Sequence, residues 1–167
     1  MSPEENIHGR EKFLTLFLLL LVIAGFTGNY LKFELFLDID FLFGSIFAML
    51  ALQFLGPARA IGAASIIAAY TYVLWNHPYA IVIMTAEVAA VAWLTQRKKT
   101  GLVLADMLYW LFIGIPLVYI FYHLVMHAPI DTVKVTMTKQ AVNGIFNALV
   151  SRLLFTLYIL KTGRGTV

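Results

Sequence analysis

Long apolar runs alternate with short polar segments along the chain. A helix that crosses a membrane needs about 20 mostly apolar residues, and about 17 are tolerated. Six runs approach this length, although the second is short. The pattern therefore predicts an all-α bundle of about six transmembrane helices, at Phe13–Tyr30, Phe41–Leu55, Ala58–Trp75, Pro78–Thr95, Leu102–Met126 and Lys139–Leu160.

Basic side chains between the runs predict the orientation of the bundle. Lys and Arg close to helix ends favour the cytoplasmic side of a membrane. If the N-terminus is inside, eight such residues lie inside and three lie outside, namely Lys32, Lys134 and Lys139. Both termini are therefore expected in the cytoplasm. Residues 1–12 would form an N-terminal tail, 13–160 the bundle, and 161–167 the start of a tail or of a linker to an output domain.

The composition agrees with a membrane protein. Of the 167 residues, 61% are hydrophobic and 13% are charged, whereas soluble domains average about 45–50% apolar and about 25% charged residues. Cysteine is absent, which excludes disulfides and thiolate metal sites. The net charge of +3 indicates orientation and contact with anionic lipids, not nucleic-acid binding.

Charged side chains within the predicted spans are the first candidates for function. A charge at bilayer depth is costly, so it usually faces protein or water and has a partner. Glu87 lies near the middle of the fourth span, Asp106 near the inner end of the fifth, and Arg152 in the inner half of the sixth. We expect a buried ion pair of Arg152 with Asp106 or Glu87. The alternative is a proton-responsive or signal-transmitting switch that couples these residues.

The sixth predicted span carries a row of amides and small residues. Gln140, Asn143, Gly144, Asn147 and Ser151 are spaced three or four apart, which aligns them on one helical face. Such a face packs against neighbouring helices and hydrogen-bonds to them. It is equally suited to lining a polar ligand cavity, and the pattern leaves both interpretations open.

The segment WNHPYA, residues 75–80, predicts a turn at the outer membrane surface. Asn76 is a good N-cap, Pro78 suits a first helical turn, and Trp75 and Tyr79 suit the aromatic belt. His77 would lie level with Tyr122, His123 and His127 at the end of the fifth span. His77, His123 and His127 are therefore candidate metal ligands, and two of them could hold a haem iron. Interfacial histidines with satisfied hydrogen bonds are the alternative.

No set of catalytic residues is convincing, because the chain has no GxSxG elbow, phosphate loop or HExxH motif. The chain itself is therefore expected not to be an enzyme. The stretches LFGSIFAML, GPARAIGAASIIAAYTYVLWNHPYAIVIMTAEVAAVAWL and KQAVNGIFNALVSRLL resemble the MASE-type and LytS-like membrane sensor domains of bacterial signalling proteins. In such proteins the last span leads into a histidine kinase or into GGDEF and EAL domains, which make or degrade cyclic di-GMP.

This resemblance implies a sensory input module in the bacterial inner membrane that forms a homodimer and signals to a cytoplasmic output domain. Under this hypothesis we expect a ligand pocket that faces outward, and Glu87, Asp106 and Arg152 would couple the pocket to the sixth helix. The candidate residues of the pocket are His77, Tyr79, Tyr122, His123, Gln140, Asn143 and Asn147. The layout is also similar to the S-components of ECF vitamin transporters, which implies a small-solute binding subunit as the alternative. A purely structural anchor is a third possibility.

Overall fold

The structure is a computed structural model that describes residues 3–31, 33, 34 and 40–163, with side chains for 8–31 and 40–163. Within these ranges a short antiparallel ladder joins β1 (Phe33–Glu34) to β2 (Asp40–Phe41) between the first two helices. The six helices are α1 (Pro3–Tyr30), α2 (Gly44–Leu55), α3 (Pro57–Trp75), α4 (Tyr79–Arg97), α5 (Leu102–Val125) and α6 (Ile130–Thr162). The predicted helical fold class is confirmed.

Five of these helices are long and apolar enough to cross a membrane, namely α1, α3, α4, α5 and α6. The chain is therefore a multi-span membrane protein. The remaining helix, α2, is apolar but has only 12 residues. At 1.5 Å per residue it is about 18 Å long, which is less than the roughly 30 Å of a hydrocarbon core.

Several predicted boundaries were wrong. Phe41 belongs to β2, and α2 begins only at Gly44. The last helix begins at Ile130, well before the predicted Lys139, because the polar segment that precedes Lys139 is helical too. Residues 1–12, predicted as a cytoplasmic N-terminal tail, are helical from Pro3 onward, and their cytoplasmic position stays a prediction. Lys32, most of the predicted outer connection before α2, and residues 164–167 lie outside the described residues.

Two turns fix the entry and exit of α3. Gly56 has a φ of 86° and is the single residue between α2 and α3, a conformation that glycine adopts far more easily than other residues. Pro57 then occupies the first turn of α3, where its missing N–H costs nothing. Asn76 ends α3 in the left-handed conformation and donates its backbone N–H to the Tyr72 carbonyl at 2.8 Å. Asn76 therefore caps the end of α3, not the start of α4 as predicted.

Helix α5 changes its winding twice. Residues Leu102–Tyr109 and Ile115–Val118 are α-helical, whereas Trp110–Gly114 and Tyr119–Val125 form π-helix. Pro116 lacks a backbone N–H, which removes one α-helical hydrogen bond, and π turns are common where that ladder is interrupted. The first π segment begins at Trp110, so the change in winding falls next to the buried acids described below.

Small residues let the helices approach one another, as is usual in membrane bundles. The main core lies where α1, α2 and α3 meet α4, α5 and α6, and a second, smaller core surrounds Tyr109 and Trp110 of α5. The buried alanines of the main core are Ala48, Ala51, Ala60, Ala63, Ala64, Ala92, Ala105 and Ala148.

Candidate functional site

A narrow cavity lies between α4, α5, α6 and the segment from β2 to α2. Trp75 and Lys139 line one end, where the Lys139 ammonium lies 5.7 Å from the centre of the Trp75 ring. Glu87 and Trp110 line the cavity farther along α4 and α5. About 40 Å³ is open to the centres of water molecules. One water needs about 10–15 Å³ measured in this way, so the cavity has room for about three.

Two buried carboxyl groups, Glu87 of α4 and Asp106 of α5, form what we call the acid pair. Glu87 is 1% exposed and accepts a hydrogen bond of 2.9 Å from the Trp110 indole N–H. Asp106 is fully buried and lies beside Glu87. Neither oxygen of Asp106 meets a hydrogen-bond donor among the described residues. The acid pair therefore has more acceptor oxygens than donors.

Helix α6 touches the acid pair through Gly144. A Cβ atom at this position would overlap the Trp110 indole nitrogen and the Glu87 carboxylate. Glycine therefore lets the backbone of α6 come into direct contact with the Trp110–Glu87 hydrogen bond. A movement of either side chain towards α6 would press directly on its backbone, because Gly144 has no side chain between them.

The predicted ion pair of Arg152 with Glu87 or Asp106 was wrong. Arg152 is exposed, donates to the Gln53 side-chain oxygen at 3.3 Å and lies 5.6 Å from the Phe155 ring centre. Helix geometry explains this result, because Arg152 lies about 12 Å farther along α6 than Gly144, where the helix meets the acid pair. Arg152 lines a separate, more open pocket together with Gln53 and Phe155.

The amide face of α6 binds a stretch of backbone. The Asn143 side chain accepts from the Leu42 N–H at 2.8 Å and donates to the Leu42 carbonyl at 2.8 Å. Asn147 donates to the same carbonyl and to the Ser45 hydroxyl, both at 2.7 Å. We call Asn143, Asn147, Ser45 and the Leu42 backbone the amide cluster. Asn143 supports the packing interpretation, since Leu42 occupies both its oxygen and an amide N–H. The Asn147 oxygen has no partner among the described residues, so the cavity interpretation stays open for Asn147.

The predicted pocket residues separate into two places. Gln140, Asn143 and Asn147 line the cavity. His77, Tyr79 and Tyr122 form an aromatic cluster outside the lining, in which the His77 ring lies 5.2 Å from each tyrosine ring centre. The Nδ1 atom of His77 is buried and has no hydrogen-bond partner among the described residues. Burial lowers the pKa of His77 below its ordinary value of 6.5.

The three candidate metal ligands do not assemble into one site. His123 Nδ1 lies 3.0 Å from the Ala128 carbonyl oxygen, and His127, in the loop after α5, has the left-handed conformation with a φ of 55°. Among the described residues, no group of three His, Cys, Asp or Glu side chains could hold a metal ion. The prediction of a metal held by His77, His123 and His127 is therefore not supported, and the two-histidine haem hypothesis stays a prediction.

Three residues near the cavity were not predicted from the sequence. Trp110 was hidden among the aromatic residues of α5, although an indole in a span often donates to a buried acceptor. Lys139 had been assigned to the outer surface only by its charge. Asn29 offered a clearer signal, since it is an amide in an apolar span. It donates to the Ile67 carbonyl at 3.1 Å and accepts from the Gly44 N–H at 2.8 Å, which joins α1, α2 and α3.

Comparison of the chain with models of known protein families and with curated proteins gives no match.

Proposed function

We propose that the chain is a membrane-embedded sensory input module, in which α6 carries a signal from the cavity to a cytoplasmic output domain. The observation that carries this proposal is the course of α6. This helix lines the cavity from Lys139 to Asn147 and continues without a break to Thr162. Its 33 residues extend over about 50 Å, which is longer than a hydrocarbon core of about 30 Å.

The contact at Gly144 provides the physical step of the proposed mechanism. A signal shifts the equilibrium between two packings of a bundle only if it favours one of them. Moving Trp110 or Glu87 changes the space available to α6, because these side chains touch its backbone. A change of state at the acid pair would therefore alter the position or tilt of α6, and the rigid helix would transfer this change to its far end.

The proposed function includes an orientation of the bundle in the membrane. The Glu11 carboxylate and the Arg59 guanidinium form an ion pair of 2.7 Å, so α1 and α3 begin on the same side of the bundle. Arg97, Lys98 and Lys99 at the end of α4 add positive charge, which favours a cytoplasmic position. We propose that this side is cytoplasmic, that α2 and the segment before it complete a sixth crossing, and that both termini lie inside.

The identity of the output rests on the sequence resemblance to MASE-type and LytS-like domains. The proposed output domain is a cyclic di-GMP enzyme or a histidine kinase, and the proposed setting is a homodimer in a bacterial inner membrane. The partners at the membrane would be its lipids, with anionic headgroups next to the basic side chains near Arg97.

The size of the cavity weighs against the alternative of a vitamin-binding transport subunit. Pockets for organic ligands usually measure about 300–1,000 Å³, whereas this cavity offers about 40 Å³. A solute of vitamin size does not fit this cavity, whereas the separate pocket beside Arg152 has a volume of about 320 Å³. Uptake of such a solute by the isolated chain would nevertheless favour the transport function over the sensor function.

A distance measurement across the inner end of the bundle tests the sensor proposal. Because the chain has no cysteine, spin labels can be attached at Arg97→Cys and Lys161→Cys alone. Gly144→Ala should displace α6 from Trp110 and shift the distance distribution between the labels in lipid nanodiscs. The matched control is Gly62→Ala, since a Cβ at Gly62 meets nothing within 4 Å.

Trp110 fluorescence, measured after Trp75 and Trp93 are replaced by phenylalanine, reports whether Gly144→Ala has changed the local packing. A changed emission spectrum together with an unchanged distance distribution would contradict the sensor proposal, because α6 would then not transmit the displacement. A purely structural anchor makes that same prediction, and it also predicts that alanine at Glu87, Arg152 or His77 changes stability but no output.

A further inference from the structure

Buried acceptor atoms without donors converge around the cavity. Both oxygens of Asp106 and the side-chain oxygen of Asn147 have no hydrogen-bond partner among the described residues. Asn147 is 1% exposed and lines the cavity together with Glu87. The unpartnered amide oxygen of Asn147 is independent of the acid pair, and it indicates a cavity that accommodates a hydrogen-bond donor.

The helices and strand packed around the acid pair contribute few charged or titratable side chains. Helix α4 supplies Glu87, and α5 supplies Asp106 and the Tyr109 hydroxyl, which donates to the Ile83 carbonyl at 2.6 Å. Lys139 of α6 and Asp40 of β2 line the cavity as well. From α2 and α3 the lining residues are Ser45 and Trp75, which do not titrate in the physiological range. The arginine expected to neutralise the acids lies elsewhere.

Two carboxylates side by side in a medium of low polarity cannot both keep a negative charge, since desolvation and mutual repulsion both favour protonation. A proton on one oxygen also supplies the hydrogen-bond donor that the pair lacks. Glu87 lines the cavity, so water that enters it would reach this carboxyl group, and a chain of hydrogen-bonded waters would carry protons. The site therefore has the acceptor atoms, the low polarity and the access route that reversible proton binding requires.

We propose that Glu87 and Asp106 form a proton-binding site that exchanges one proton with the aqueous phase through the cavity. On uptake, a hydronium ion in the cavity transfers its proton to a carboxylate oxygen. One O–H bond forms, the hydronium becomes water, and a singly protonated pair becomes neutral. The Trp110 indole holds one Glu87 oxygen, which leaves the other Glu87 oxygen and the Asp106 oxygens to take the proton.

Infrared difference spectroscopy of the full chain in lipid nanodiscs tests the proposal. A pH step should change a carboxylic-acid C=O band, and this band should shift when H₂O is replaced by D₂O. Glu87→Gln and Asp106→Asn keep the size of each side chain, and each should remove the pH-dependent band. Asp131→Asn is the matched control, because Asp131 is exposed and paired with Lys134, and it should leave the buried band unchanged.

A variant that fills the cavity tests whether protons reach the acid pair through it. Ala80 is 2% exposed and lines the cavity, so Ala80→Leu should fill it and slow the deuterium exchange of the band several-fold. Size-exclusion chromatography selects folded variants. If Ala80→Leu does not fold, Ser45→Val provides the second test of the route, because Ser45 also lines the cavity.

Three results would overturn the proton site. The first is a wild-type spectrum without a pH-dependent carboxylic-acid band. The second is a band that persists in both Glu87→Gln and Asp106→Asn. The third is a band that responds to sodium at constant pH but not to pH, which would assign the site to a metal cation. Exchange unaffected by a folded cavity-filling variant would overturn the route.

The proton site concerns the same cavity as the sensor function, yet the two can fail separately. A titrating carboxyl band with an unresponsive α6 distance would leave a proton site without a sensor. An α6 that responds to Gly144→Ala, with no titrating band, would leave a sensor whose signal is not a proton.

Discussion

The Asn143–Leu42 contact of the amide cluster and the acid pair meet α6 at adjacent residues, Asn143 and Gly144, yet they satisfy their polar atoms in opposite ways. In the amide cluster, Asn143 uses both its donor and its acceptor on the Leu42 backbone. In the acid pair, Trp110 donates to Glu87, and the Asp106 oxygens have no donor in the described chain. A contact in which every polar atom is paired, such as Asn143 with Leu42, holds the bundle in one arrangement. A cluster with unpaired acceptors can gain or lose a bound species.

The energetic reason is the cost of leaving a buried polar group unpaired. Such a group costs about 1–3 kcal/mol and more when it is charged. An amide avoids that cost only if the protein supplies its partners, so an amide in a span fixes the geometry around it. A carboxyl group can avoid the cost by taking a proton. The two chemistries therefore suit different roles at the same depth in the membrane.

Among the substitutions that test this comparison, the largest loss of stability is expected at the amide cluster. Asn143→Ala removes both hydrogen bonds between the Asn143 side chain and the Leu42 backbone, and it leaves the Leu42 N–H without an acceptor. We expect unfolding in mixed detergent to become easier by about 1–2 kcal/mol, the range for lost hydrogen bonds in membrane bundles and buried backbone groups. Val142→Ala is the control, since Val142 lies on the same helix and is 51% exposed. Equal losses in both variants would contradict the structural role of Asn143.

A smaller effect is expected at His77, the unpaired polar group outside the cavity. Burial lowers the pKa of His77 below 6.5, so the unfolded chain binds a proton more readily than the folded protein in that range. Stability should therefore be full above pH 6.5 and decline as the pH falls towards the folded-state pKa. Because His77 is only partly buried, solvent screening should keep this change in stability small.

Melting temperatures at several pH values test this expectation. His77→Gln should flatten the decline, whereas His127→Asn should retain it, because His127 is exposed and asparagine tolerates the left-handed backbone there. An undiminished decline in His77→Gln would assign the pH dependence to other groups.

The smallest effect is expected at Arg152. This side chain is exposed and bonded only to an amide and an aromatic ring among the described residues. Arg152→Gln should change the free energy of unfolding by less than about 0.5 kcal/mol, as surface substitutions usually do. Lys161→Gln serves as the exposed control. A loss of about 3–5 kcal/mol, typical of a broken buried ion pair, would instead restore the sequence-based pairing with an acid.

Much of the fold could be predicted because long apolar runs and the amide spacing of α6 are local signals. The position of Arg152 could not, since its partner depends on how α2 and α6 are placed relative to each other. The histidines were grouped by depth along their helices, but depth leaves the direction of each side chain open. The π segments around Pro116 were not predicted, because a continuous hydrophobic run does not distinguish an α-helix from a π-helix.

The short length of α2 has a consequence for how the protein is made. A helix of 12 residues is shorter than the roughly 17 that a stable transmembrane span requires. The Leu42 backbone just before it needs hydrogen-bond partners away from water. Those partners, Asn143 and Asn147, are synthesised 101 and 105 residues later. During biogenesis, α2 therefore cannot settle as an independent insertion unit, and its final placement has to wait until α6 has left the ribosome and entered the membrane.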